Sequence, residues 1–93
     1  MNEITLEATV VRSNDVLASP VDNDLVMMDL ERGMYYALNA IGADIWARLA
    51  QPVAVADLCD QLMQKYEVDR ETCQADVLAV LNEMAANRLL AKV

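Results

Sequence analysis

The chain has 93 residues, with no histidine and no phenylalanine, and only two glycines, two prolines, two cysteines and one tryptophan. Each scarcity excludes something. Without histidine, the commonest general base and the commonest metal ligand are missing. Cys59 and Cys73 show no CxxC spacing, which argues against zinc and against a thiol nucleophile with a partner base. No metal, no cofactor and no catalytic residue is therefore expected. Without phenylalanine, Leu, Val, Ile and six methionines must fill the interior. No apolar run approaches membrane-spanning length. The opening MNEITLEATVV has no basic segment ahead of an apolar run, so a cytoplasmic protein with reduced thiols is expected.

Basic residues are also few. Seven Lys and Arg face fifteen Asp and Glu, for a formal charge of −8. Such a chain repels polyanions at long range and attracts basic peptides or proteins. Neither nucleic acid nor membrane is an expected partner. A DNA-binding helix needs basic and amide side chains along its exposed face. Here Arg70 and Arg88 stand only at the ends of the last helical segment, with Asp76 and Glu83 between them.

What is present is a folding composition, 56% apolar. One domain over residues 1–93 is expected, with a loose start at 1–8. TVVRS reads as a short extended piece. VLASP (16–20) and LVMMDL (25–30) read as strands separated by the turn formers Asp22, Asn23 and Asp24. ERG then precedes MYYAL (34–38). Three residues ending in Gly33 suit a hairpin that pairs Leu30 with Met34. In that register Val26, Met28, Leu30, Met34, Tyr36 and Leu38 face the core. Asn39 is a good cap for a helix over Ala40–Ala50, where Ile41, Ile45 and Leu49 repeat at four-residue spacing beside Trp46. A second helix spans Val55–Tyr66, with Val55, Leu58, Leu62 and Tyr66 buried. Asp69 caps a third over Arg70–Asn87. The apolar arc of that helix spans about 160° at 100° per residue, wider than one core contact needs. LLAKV reads as a closing strand. Strands followed by helices give an α+β class, winged-helix-like, with a three-stranded antiparallel sheet followed by three helices.

Three segments carry a family resemblance: LVMMDLERGMYYALNAIGADIWARL, VAVADLCDQLMQKYEV and CQADVLAVLNEMAANRLL. Together they resemble the PqqD-like peptide-recognition domain, the RiPP recognition element, over Val16–Leu90. The pairing of Leu58-Cys59 with Tyr66 and Cys73 is most similar to the stand-alone versions of lasso-peptide pathways. The resemblance implies a protein that is not an enzyme and binds the leader of a ribosomally made precursor. The leader lies as an added strand between the third strand and the third helix. The partners it implies are that leader peptide, a cysteine leader peptidase and a macrolactam cyclase. The alternative it leaves open is a chaperone for the pyrroloquinoline-quinone precursor or for another RiPP pathway.

The peptide-binding residues implied are Met34, Tyr35, Tyr36 and Ala37 on the strand, with Cys73, Asp76, Val77, Val80, Glu83 and Met84 on the helix. A plainer reading stands beside each. The tyrosines, Cys59, Cys73 and Trp46 also suit a core, and Asp76 and Glu83 also suit a solvated helix face. Two departures from the family pattern stand out. ANRLL lacks the glycine usual before the final leucines, a place where Asn87 can take a left-handed helix end. Val53 stands where a capping residue is usual.

Overall fold

Short apolar, β-branched-rich or aromatic runs bounded by turn residues make strands of Thr9–Arg12 (β1), Val16–Val21 (β2), Asp24–Asp29 (β3) and Met34–Leu38 (β4). Apolar residues at helical spacing make Ala40–Arg48 (α1), Val55–Lys65 (α2) and Arg70–Ala86 (α3). Two short strands, Val53–Ala54 (β5) and Leu90–Ala91 (β6), complete the order. The computed structural model describes residues 3–91. Lys92 and Val93 of the expected closing strand, and Met1 and Asn2 of the expected loose start, lie outside them.

The fold is α+β and winged-helix-like, with one antiparallel sheet more than expected. The main sheet runs β2-β3-β4, and β1 is the centre of a second, β5-β1-β6. Val10 lies opposite Val53, and Arg12 opposite Leu90. These partners are distant in sequence, so local patterning gives no sign of their pairing.

The hairpin register differs from the expected one. Asp29, not Leu30, lies opposite Met34, so the loop has four residues, Leu30–Gly33. Asp29 is the cause. Its carboxylate accepts hydrogen bonds from the N–H groups of Glu31 (3.0 Å) and Arg32 (3.2 Å), and its carbonyl accepts from Gly33 N at 2.8 Å. Gly33 completes the loop at φ 66°. A side chain capping its own turn thus displaces the three-residue hairpin. The inward assignment of Tyr36 and Leu38 stands, but β3 is exchanged. Met27 is fully buried opposite Tyr36, while Val26 and Met28 lie on the other face and Leu30 is exposed in the loop.

Both predicted side-chain caps form. Asn39 Oδ1 accepts from Gly42 N at 2.9 Å, and Asp69 Oδ2 from Thr72 N at 3.1 Å. The first turn of α2 has no side-chain cap. Its Val55 and Ala56 N–H groups donate instead to the carbonyls of Ala8 (2.9 Å) and Leu6 (3.2 Å). Residues 3–8 are therefore fastened rather than loose. Ile4 N also donates to Asn82 Oδ1 on α3 at 2.9 Å.

The core joins Met27 to Ile45 and Trp46 of α1 and Leu49 just after it, Val55, Leu58, Cys59 and Leu62 of α2, and Cys73, Val77, Leu81 and Met84 of α3. Ile41, expected inside, is 51% exposed. Both cysteines are free, and Cys73 Sγ donates to the Cys59 carbonyl at 3.7 Å. Burial, then the neighbouring Cys73, pushes the Cys59 thiol up to about 11, so it stays protonated.

The left-handed residue after α3 is Arg88, at φ 60°, with Asn87 at φ −96°. Leu89 N then reaches back to the Met84 carbonyl at 2.9 Å. A side chain at that φ is strained by about 1–2 kcal/mol. Arg88→Gly is expected to stabilise the fold by about 1 kcal/mol in urea unfolding, an effect that Asn87→Gly does not reproduce.

Candidate functional site

The wide apolar arc of α3 serves two purposes. Cys73, Val77, Leu81 and Met84 are buried in the core. Val80, one turn along from Val77, is only half-buried and looks into a cleft made of two adjoining cavities. The first, about 400 Å³, lies between β4 and the C-terminal half of α3. Tyr36, Ala37, Leu38 and Asn39 line one side, and Val80, Glu83, Met84, Asn87 and Leu89 the other. The second, about 350 Å³, lies between α1 and the N-terminal half of α3. Ile41, Ile45, Leu62, Tyr66, Glu67 and Val68 meet Cys73, Asp76, Val77 and Val80 there. Val80 borders both.

β4 forms one wall because it is an edge strand, hydrogen-bonded only to β3 within its sheet. Its other edge is free to pair with an extended chain. The strand passes directly into α1 through the Asn39 cap, which fixes the angle between the two walls. Gly42 lets them close up, since a Cβ there would stand 3.1 Å from the Leu38 Cβ. At the far end, Arg32 Nη1 of the β3–β4 loop donates to the Asn87 carbonyl at 3.4 Å and ties the hairpin to the end of α3.

The second cavity is lined mainly by apolar surface and the first by polar and apolar surface alike, and both have an acidic margin. Glu67, Asp76 and Glu83 are its charged residues, and neither cavity includes a Lys or Arg among the described residues. The Tyr36 hydroxyl is buried without a hydrogen-bond partner among the described residues. Tyr66 is held from behind by a network around Asp44. That carboxylate accepts from Tyr66 Oη at 2.8 Å, Arg48 Nε at 2.9 Å and Lys65 Nζ at 3.0 Å. Arg48 Nη1 also donates to Gln61 Oε1 at 3.1 Å, linking α1 to α2.

Of the residues implied by the resemblance, Tyr36, Ala37, Val80, Glu83 and Met84 line the first cavity, and Cys73, Asp76, Val77 and Val80 the second. Met34 and Tyr35 line neither. Tyr35 is 69% exposed on the sheet face turned away from the helices. Ile41, Tyr66 and Val68 line the cleft without having been singled out for it. Ile41 was hidden by its spacing from Ile45, which reads equally well as core. Tyr66 follows the buried positions of α2 by one turn, and nothing local separates a core tyrosine from one at a cavity wall. Among the described residues, no group of three or more His, Cys, Asp or Glu is placed to hold a metal ion. No described helix is long and apolar enough to cross a membrane.

Comparison with known proteins now has a geometry to explain. A family model described as coenzyme PQQ synthesis protein D (PqqD) matches residues 24–90. Two solved structures are similar over 89% of this chain. TbiB1 in complex with the TbiA(beta) leader peptide is 29% identical, with a TM-score of 0.81 over 96% of that chain. A lasso peptide synthetase B1 complexed with the leader peptide is 25% identical, with a TM-score of 0.78 over 98% of that chain. Among curated proteins, none matches the chain.

Asp44 generates a test of the cleft wall. Burial raises its pKa, but the hydrogen bonds from Lys65, Tyr66 and Arg48 outweigh burial and hold it below the ordinary 3.8. A carboxyl depressed in the folded state stabilises above its unfolded pKa, and that contribution is lost as pH falls through the folded value. Asp44→Asn is expected to lower stability by about 1 kcal/mol at pH 7. The difference from the parent should shrink in urea unfolding as pH falls below the ordinary carboxylate value and through the depressed folded one, where the parent carboxyl becomes protonated too.

Proposed function

The chain belongs to the PqqD family, and we propose that it is a non-enzymatic carrier for a lasso-peptide precursor, a single cytoplasmic domain over residues 1–93. It takes the leader segment as an added strand on the free edge of β4, in the cleft between β4 and α3. It then delivers the precursor to a cysteine leader peptidase and a macrolactam cyclase. One observation carries this reading. The free edge of β4, a cavity of mixed polarity beside it and a mainly apolar cavity next to that share one cleft. Solved chains similar over 89% of this one hold leader peptides.

The physics of such a cleft divides the labour. Strand addition supplies backbone hydrogen bonds, each worth about 0.5–1.5 kcal/mol net whatever the leader sequence. Selection falls to side chains entering the cavities, where a fully buried apolar group contributes about 1.5–3 kcal/mol. The lasso leaders implied by the family resemblance carry a Tyr and a Pro suited to such cavities. Asp76 and Glu83 are exposed, so a pair with a leader Lys or Arg adds only about 0–1 kcal/mol. Their work is to speed encounter and set register. The alternative of a quinone-precursor chaperone draws on the name of the family model. The near-complete coverage of two leader-bound proteins, one of them a lasso peptide synthetase B1, supports the lasso reading over it.

A fluorescently labelled leader from the precursor gene beside this one tests the proposal by titration. Saturable binding at micromolar concentration or tighter is expected, and a folded protein that shows none sinks the reading. Val80→Glu places a charge between the two cavities. It should weaken binding at least about tenfold, or 1.4 kcal/mol, while circular dichroism and melting stay close to the parent's. Asp76→Lys should instead lower the association rate for a basic leader at low salt and leave dissociation nearly unchanged, measured by stopped flow.

A further inference from the structure

The β2-β3-β4 sheet is covered on one face only. Val16, Leu25, Met27, Tyr36 and Leu38 pack against the core. The alternate residues form the other face, and the register sets them in rows. Leu17 lies opposite Met28, which lies opposite Tyr35; Ser19 lies opposite Val26, which lies opposite Ala37; Val21 lies opposite Asp24. An antiparallel sheet with one solvated face ordinarily turns polar residues outward. Here Ser19 and Asp24 are the polar members of these rows, and the others are apolar. Leu17 is 56%, Val21 53% and Tyr35 69% exposed. Single exposed apolar residues need no explanation, but adjoining rows of them mark a contact surface.

The rim decides what fits there. Asp15 and Glu31 are exposed in the turns at one end of this sheet; at the other, Asp22 is exposed in the turn and Asp24 at the start of β3. Arg32 is the cation of these turns, and its guanidinium is drawn to the Asn87 carbonyl beside α3. A second copy in a two-fold contact would set like acids against each other, on chains of charge −8. Anionic lipid and nucleic acid are repelled for the same reason. A surface with an apolar centre and a Lys/Arg rim is complementary.

We propose that this outer face docks a globular protein with such a patch, opposite the leader cleft. The inference rests on the delivery reading above and deepens it, the docked protein being an enzyme that processes the bound precursor. β4 belongs to both surfaces, with Tyr36 turned to the cleft and Tyr35 to the docked protein. One strand then holds the leader along its edge and the processing enzyme across its back.

Two double variants on β2, away from the cleft, test this. Leu17→Lys/Val21→Lys sets cations against a basic rim, and Leu17→Thr/Val21→Thr removes apolar area while leaving a strand-favouring β-branched residue at both positions. The probes are the labelled leader and the peptidase and cyclase encoded beside this chain, with sedimentation equilibrium reading self-association. Both variants should keep parent-like circular dichroism and leader affinity. Both should bind the peptidase or the cyclase at least about tenfold more weakly, the lysine pair more so, and the parent complex should weaken as salt rises. The docking proposal is overturned if the parent binds neither enzyme, or if the threonine pair binds as tightly as the parent. It is also overturned if the parent is a dimer that the variants break. A parent that binds the enzymes but no leader defeats the delivery reading alone.

Discussion

The Asp29 carboxylate, holding the N–H groups of Glu31 and Arg32, sets the register of the β3–β4 hairpin, and most of the molecule follows from it. It places Met27 opposite Tyr36 and both inside. Because sheet side chains have a period of two, the same step turns Met28 and Tyr35 out together. It also makes the loop long enough for Arg32 to reach the Asn87 carbonyl and tie the hairpin to the end of α3. The separation of a cleft side from an outer side is thus settled by one buried acid, 5% exposed, that serves its own turn.

The helices complete what the hairpin begins. Asn39 ends β4 and starts α1 in a single residue, so the strand edge and the helix move as one wall. Opposite them, α3 is apolar round more of its surface than the core consumes. Val77 and Leu81 are spent inside, and Val80 between them is left for the cleft. Asp44 gathers Arg48, Lys65 and Tyr66 behind that cleft and joins α1 to α2. The N-terminal segment closes the far side by lending carbonyls to α2, which its own sequence leaves without a cap. The site is therefore built from groups already fixed by packing, the condition under which an incoming strand loses least on ordering.

Binding a leader peptide needs no nucleophile. The two cysteines of the chain are buried, and burial holds both thiols in the protonated form. What binding needs is a surface that accepts backbone without regard to sequence and side chains with modest regard to it. A strand edge beside two cavities of similar size meets that need. The acids at the margin act over distance and are screened by salt, whereas the cavities act only on contact.

By itself the sequence determined the elements and their class. Asn39 and Asp69 announced two helix starts, the spacing of Val55, Leu58 and Leu62 announced another helix, and YYALN before a Gly-Ala-x-Ile-Trp helix carried the family resemblance. These signals are local, written within a few residues of what they specify. Tertiary structure alone decided the partners of β1, the capping of α2 by Leu6 and Ala8, and the left-handed turn at Arg88 rather than Asn87. It also decided that Ile41 stands exposed at a cavity mouth while Ile45, four residues on, is buried at that cavity's floor. An apolar residue on a helix is drawn out of water by whichever surface comes to face it. Which surface that is depends on residues far away in the chain.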